Sequence, residues 1–185
     1  MNTTFTKSLF LAVLWTFISF SSFGQSVSSD SLSISQPPKT VHHFPEIRGY
    51  VGLVHPLYSW SDDGNHANFD DYYLVGNPWG INIWKSPKFG LSLEFTPFIK
   101  FANNDSKLSN FLFHPGVLYR LGHDFTLIGR VAYETSGRYG FTPILNKVVH
   151  RNGSNTVFVA LLLPARYGNL QAPSYTVAFQ FGIGF

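Results

Sequence analysis

Residues 174–185 read SYTVAFQFGIGF, and they alternate without a break. Tyr175, Val177, Phe179, Phe181, Ile183 and Phe185 fall on one face. Ser174, Thr176, Ala178, Gln180, Gly182 and Gly184 fall on the other. Successive side chains of a strand point to opposite sides, so a period of two predicts a strand. What sets this one apart is its small-residue face. A face turned to water would normally carry Lys and Glu, not Gly, Ser, Thr and Ala.

The same pattern recurs upstream. Phe89, Leu91, Leu93, Phe95, Pro97, Ile99 and Phe101 oppose Gly90, Ser92, Glu94, Thr96, Phe98 and Lys100. Val157, Val159, Leu161, Leu163, Ala165 and Tyr167 share a face of the segment 154–167. Eight segments are expected, at about 47–57, 72–85, 88–101, 109–121, 124–135, 138–149, 154–167 and 174–185. The first is mixed. No later window has a helical period.

Two architectures can use such strands. A soluble sandwich or lipocalin-like barrel turns the apolar faces inward. A membrane barrel turns them out to lipid and lines its lumen with the polar faces. Composition favours the second. Of 185 residues, 44% are hydrophobic, 17% aromatic and 12% charged, against about 25% charged in an ordinary soluble domain. The absence of Cys excludes disulfide scaffolds, thiolate metal sites and thiol catalysis. A formal charge of +3 is too small to argue for a nucleic-acid partner.

Residues 1–24 read as a secretory signal peptide. Lys7 supplies the positive start, Leu9 to Phe20 an apolar run of twelve, and Ser22 and Gly24 the small residues before a cleavage point. Twelve residues are too few for a membrane-spanning helix, which needs about 20. Residues 25–46, rich in Ser and Pro, read as a flexible periplasmic tail, leaving 47–185 as the barrel. Connections should alternate between long outer loops and short periplasmic turns. Tyr58 to Asp71 fits an outer loop and Gly122-His123 a turn, whereas His150 to Gly153 is longer than ideal for a turn.

The alternating aromatic ending resembles the C-terminal sorting signal of Gram-negative outer-membrane barrels. The signal peptide and the strands resemble the small OmpA/OmpX-type barrels in general architecture, with no motif that fixes a subfamily. The resemblance implies an all-β fold: an eight-stranded antiparallel transmembrane up-and-down β-barrel in the cell outer membrane. It also implies a monomer whose partners are outer-membrane lipids and the barrel assembly machinery. Tyr175, Phe179, Phe181 and Phe185 would be read by that machinery during export.

An eight-stranded interior is wide enough only for side chains or one small ligand. Alternation turns Glu94, Lys100, His114, Arg120, Arg130, Glu134 and Arg166 into the lumen. Buried charges must be paired and hydrogen-bonded. These residues therefore form either an ion-pair network that plugs the tube, or an Arg surplus that receives an anionic head group or carboxylate. Pro56, Pro78, Pro97, Pro115, Pro143 and Pro164 fall inside expected strands, where Pro cannot donate to a ladder. Either the ladders stop or bulge towards the outer rim, or Pro78, Pro97, Pro115, Pro143 and Pro164 mark a lateral gap for lipid. Lipid A palmitoyltransferases, also eight-stranded, have such proline-flanked openings, a resemblance of architecture only.

Signals for chemistry are sparse. The His-x-Ser-Asn arrangement of lipid A deacylase barrels does not occur, although a Ser–His pair across strands is compatible with the sequence. Asp62, Asp63, Asp70 and Asp71 lack the spacing of a calcium loop. No metal and no cofactor are expected. The expected role is structural, or the binding of a small or lipidic ligand. The alternatives are a lipid-modifying acyltransferase or deacylase, and a narrow channel.

Overall fold

A computed structural model describes residues 43–103 and 105–185; the leader 1–24 and the tail to residue 42 lie outside the described residues. Among the described residues eleven strands follow one another: β1 (Glu46–Ser61), β2 (His66–Ala67), β3 (Tyr73–Gly76), β4 (Trp79–Trp84), β5 (Phe89–Ala102), β6 (Asp105–Gly122), β7 (Phe125–Glu134), β8 (Tyr139–Asn152), β9 (Asn155–Leu162), β10 (Ala165–Tyr167) and β11 (Ser174–Gly184). All pairings are antiparallel. The strands β3 and β4 share one position between β1 and β5, and β9 and β10 share one between β8 and β11. β2 is a short addition to the end of β1. Eight positions remain, and β1 pairs with β11 from Tyr50↔Gly184 to Ser61↔Ser174, which closes the ring.

Burial follows the alternation. On β5, Gly90, Ser92, Glu94 and Thr96 are buried, while Phe89, Leu91 and Phe95 are exposed. On β7, Ile128, Arg130 and Ala132 are buried, while Leu127, Val131 and Tyr133 are exposed. The ring therefore keeps its polar and small side chains inside and shows large apolar ones outside. A second interior group, including Trp84, Leu118, Ile128, Ile144, Ala160 and Leu162, is apolar. Small residues make room for large ones. Gly80 faces Tyr50 across β4 and β1, and a Cβ there would collide with the phenol ring.

Three hairpin turns lie at the proximal end, where β1 begins and β11 finishes. Here the structure sharpens the sequence reading. Asn152 pairs with Asn155, so His150 to Gly153 contributes only the start of a two-residue turn, Gly153-Ser154. Gly153 takes φ 59°, the left-handed backbone such a turn needs. At the distal end β1 runs on to Ser61, shortening the first loop, and β5 pairs with β6 as far as Ala102↔Asp105. Glu46, assigned to the tail by sequence, opens β1.

Beside Pro78 and Pro164 the loss of a donor does not shift the strands. Register is the same on both sides of Pro78 (Gly76↔Phe98, Trp79↔Phe95) and of Pro164 (Leu162↔Ala178, Ala165↔Tyr175). Gly52 donates to the Pro78 carbonyl at 3.0 Å. In place of the missing Pro78 N–H, Asn77 Nδ2 donates to Gly52 O at 2.7 Å. A second Asn does similar work beside Pro56, where β1 bulges. Leu74 donates to Asn68 Oδ1 (2.7 Å) and accepts from Asn68 Nδ2 (2.9 Å). The carbonyls of Pro97 and Pro143 accept from Asn77 and Leu163, both at 3.0 Å. Beside Pro115, the β6–β7 pairing skips from Phe113↔Tyr133 to Gly116↔Arg130.

Candidate functional site: the buried polar network

The register explains how distant residues meet. Glu94 of β5 lies directly opposite His114 of β6. Gly116, two residues on, lies opposite Arg130 of β7. The Arg130 side chain crosses over Gly116, where a Cβ would press on its stem. Glu94, His114 and Arg130 are 2%, 1% and 4% exposed.

Glu94 is the hub. Arg130 Nη1 and the Tyr50 hydroxyl both donate to its Oε2 at 2.7 Å. His114 Nδ1 lies 3.1 Å from Oε1, and Thr96 Oγ1 donates to the same oxygen at 3.4 Å. Arg130 Nη2 also donates to the Tyr50 hydroxyl (2.8 Å) and to Ser92 Oγ (2.9 Å). An ionised carboxylate only accepts, so the Glu94 contact assigns the His114 proton to Nδ1. His114 Nε2 is then free to accept from Thr142 Oγ1, at 3.0 Å.

The chain of bonds continues towards the distal end. Arg166 Nη1 donates to Thr142 Oγ1 at 3.1 Å, and Arg166 Nε to Glu134 Oε1 at 2.7 Å. Glu134 Oε2 also accepts from Asn110 (2.6 Å) and from the Ser136 hydroxyl (3.0 Å). With His114 neutral, two carboxylates balance two guanidiniums. Of the seven lumen residues inferred from sequence, Glu94, His114, Arg130, Glu134 and Arg166 lie in this one network.

The other two lie elsewhere. Lys100 sits 3.6 Å over the Tyr72 ring, near the distal loops. Arg120 stacks on Trp84 at 3.7 Å near the proximal end, with Glu46 3.6 Å away. Glu46 also pairs with Arg48 at 2.7 Å, so the acids opposing the interior bases number three rather than two. Tyr50 and Glu46 were missed by sequence reasoning. The spacing Glu46, Arg48, Tyr50 does carry the period-two signal, but Gly49, Gly52 and Pro56 blur it. Tyr175, Phe179 and Phe181 are exposed on the outward face of β11, and Phe185, just past its end, is exposed too.

The network separates two cavities. The proximal one, about 390 Å³, is lined by Arg48, Asn82, Arg120 and Arg130 among others. The distal one, about 220 Å³, reaches Glu94, His114, Thr142 and Arg166. Among the described residues, no group of three His, Asp or Glu side chains is placed to hold a metal ion.

No family model matches the chain, and no curated protein matches it. Among the solved structures similar to it are two designed proteins. One is a de novo designed transmembrane β-barrel, with a TM-score of 0.43 and 11% identity, covering 77% of this chain and 97% of the design. The other is a de novo designed protein solved by solution NMR, with a TM-score of 0.37 and 13% identity, covering 76% and 94%.

Proposed function

We propose that the chain is an eight-stranded antiparallel up-and-down β-barrel spanning a Gram-negative outer membrane as a monomer, its proximal end towards the periplasm. The observation that carries this reading is the inversion of sides. Charged and hydroxyl groups meet inside in a hydrogen-bonded network, while exposed Phe, Leu, Ile, Val, Trp and Tyr cover the outside. Water would penalise so much contiguous apolar surface, and lipid accepts it. A closed ring also leaves no backbone edge unpaired, as a bilayer core requires.

The role that fits this interior is structural, or the binding of a small or lipidic ligand in the distal cavity. A channel is disfavoured, because the Glu94–Arg130 network fills the tube between the two cavities. In the export step, the assembly machinery would read Tyr175, Phe179, Phe181 and Phe185. The test is electrophoresis of unboiled and boiled envelope samples. Changed mobility on boiling and recovery in the outer-membrane fraction are expected; unchanged mobility with soluble fractionation refutes the reading. Planar-bilayer recordings should show no conduction steps.

A second reading, a lipid-modifying enzyme, is favoured by one observation. A hydroxyl, an imidazole and a carboxylate stand in line at the distal cavity.

A further inference from the structure

We propose that Thr142, His114 and Glu94 form an acyl-transfer site at the floor of the distal cavity, acting on carboxylic esters of lipid acyl chains. The lipid source rests on the membrane reading above.

The geometry has the parts that nucleophilic catalysis needs. Thr142 Oγ1 lies 3.0 Å from His114 Nε2, and His114 Nδ1 lies 3.1 Å from Glu94 Oε1. A hydroxyl bonded to a base, which a third group orients, is the arrangement that activates Ser or Thr for attack. The three residues come from β8, β6 and β5, so no local sequence motif could announce them. Glu94 is a positioning residue. Arg130 and Tyr50 hold it, and it fixes the imidazole tautomer that leaves Nε2 free to take a proton.

The surroundings fit an ester. Arg166 Nη1 lies 3.1 Å from Thr142 Oγ1, so a positive donor adjoins the point of attack. The cavity is lined by apolar Val54, Phe98, Leu112 and Leu162 as well as by polar groups, Asn110, Glu134 and Arg166 among them. Such a mixed lining offers contacts to both the hydrocarbon and the oxygen atoms of an acyl ester.

The chemistry closes without a further reagent. Thr142 Oγ bonds to the ester carbonyl carbon while His114 Nε2 takes the hydroxyl proton. The bond from that carbon to the alcohol oxygen breaks, and His114 returns the proton to the departing alkoxide. An acyl-threonine ester remains. Water or a second alcohol then attacks it, with His114 again taking and returning one proton, and Thr142 is regenerated.

The test uses the full chain folded in detergent micelles and a dodecyl fluorophosphonate, with the adduct located by peptide mass mapping. The wild type should be labelled at Thr142, and Thr142→Val should not. Thr142→Ser should be labelled at the same position at least as fast as the wild type. His114→Gln should slow labelling by about 100-fold or more, the usual share of a general base. Glu94→Gln should move the pH profile of labelling, whereas purely structural damage would scale the rate equally at every pH. Absence of adduct at position 142 in both the wild type and Thr142→Ser overturns the proposal, as does labelling indifferent to His114→Gln. The heat-induced mobility shift of the same samples separates the two readings. A shift without adduct sinks the acyl-transfer site alone, and no shift sinks the barrel.

Discussion

Removing the charge of Glu94 should destabilise the protein through its partner rather than through itself. In Glu94→Gln the shape is kept, yet the Arg130 guanidinium loses the carboxylate it pairs with. The side chains of Arg130 and Glu94 are each 3% exposed, so solvent cannot replace the lost charge. Breaking a buried pair by removing one partner costs about 3–5 kcal/mol. The reciprocal change, Arg130→Met, strands the carboxylate and should cost about the same. The double variant, Glu94→Gln with Arg130→Met, strands neither charge. Its cost should fall well below the sum, because residues in one network are not additive and couple by about 0.5–3 kcal/mol or more. Urea unfolding of the protein in lipid vesicles, followed by tryptophan fluorescence, gives all four stabilities of the cycle. Single costs below about 1 kcal/mol, or additivity within about 0.5 kcal/mol, would refute the claim that the pair is the interior's electrostatic hub.

Three further outcomes follow from other parts of the wall and interior. Asn77→Ala should cost about 1–2 kcal/mol, since it leaves the Gly52 carbonyl without a donor, and should speed amide exchange at Gly52 and Trp79; in the wild type, amides beside Pro78 and Pro97 should exchange as slowly as the rest of the wall. Gly80→Ala should cost about 1–3 kcal/mol by forcing the Tyr50 ring off its seat, and a stability unchanged in urea titration would show that the ring has room to move. In vesicles, Val131→Arg should cost about 2–4 kcal/mol and Leu121→Arg, near the proximal turn, about 0–1 kcal/mol; equal costs would contradict a bilayer around the ring.

Much of the wall was legible because a closed ring with opposed faces imposes a strict period of two. Parity alone placed Glu94, His114 and Arg130 on the inside. It did not say which of them meet, because neighbours across strands depend on register, and register depends on where each turn begins. The reading of His150 to Gly153 as a long connection shows the difficulty: the strand ladder continues to Asn152, and only its last pair reveals the tight turn. The prolines are hard to read for a related reason. Each removes a backbone donor, and a sequence does not show that the Asn77 amide reaches the carbonyl that Pro78 leaves open. Thr142 carries no local signal in the sequence; it meets His114 only because β8 is set across the interior from β6.

The β1–β11 seam has a kinetic consequence. Most of the other seams join neighbours along the chain and can form as hairpins, each closing a short loop. This one joins residues about 110 to 135 positions apart, and loop-closure entropy rises with the logarithm of that separation. Its ladder of partners, with the Ser59 and Thr176 hydroxyls 2.8 Å apart across it, therefore bears the non-local part of the search. Until it forms, both edge strands stand open and can pair with another chain. Folding should accordingly be slow at this single step, sensitive to substitutions along β1 and β11, and prone to intermolecular pairing whenever that step is delayed.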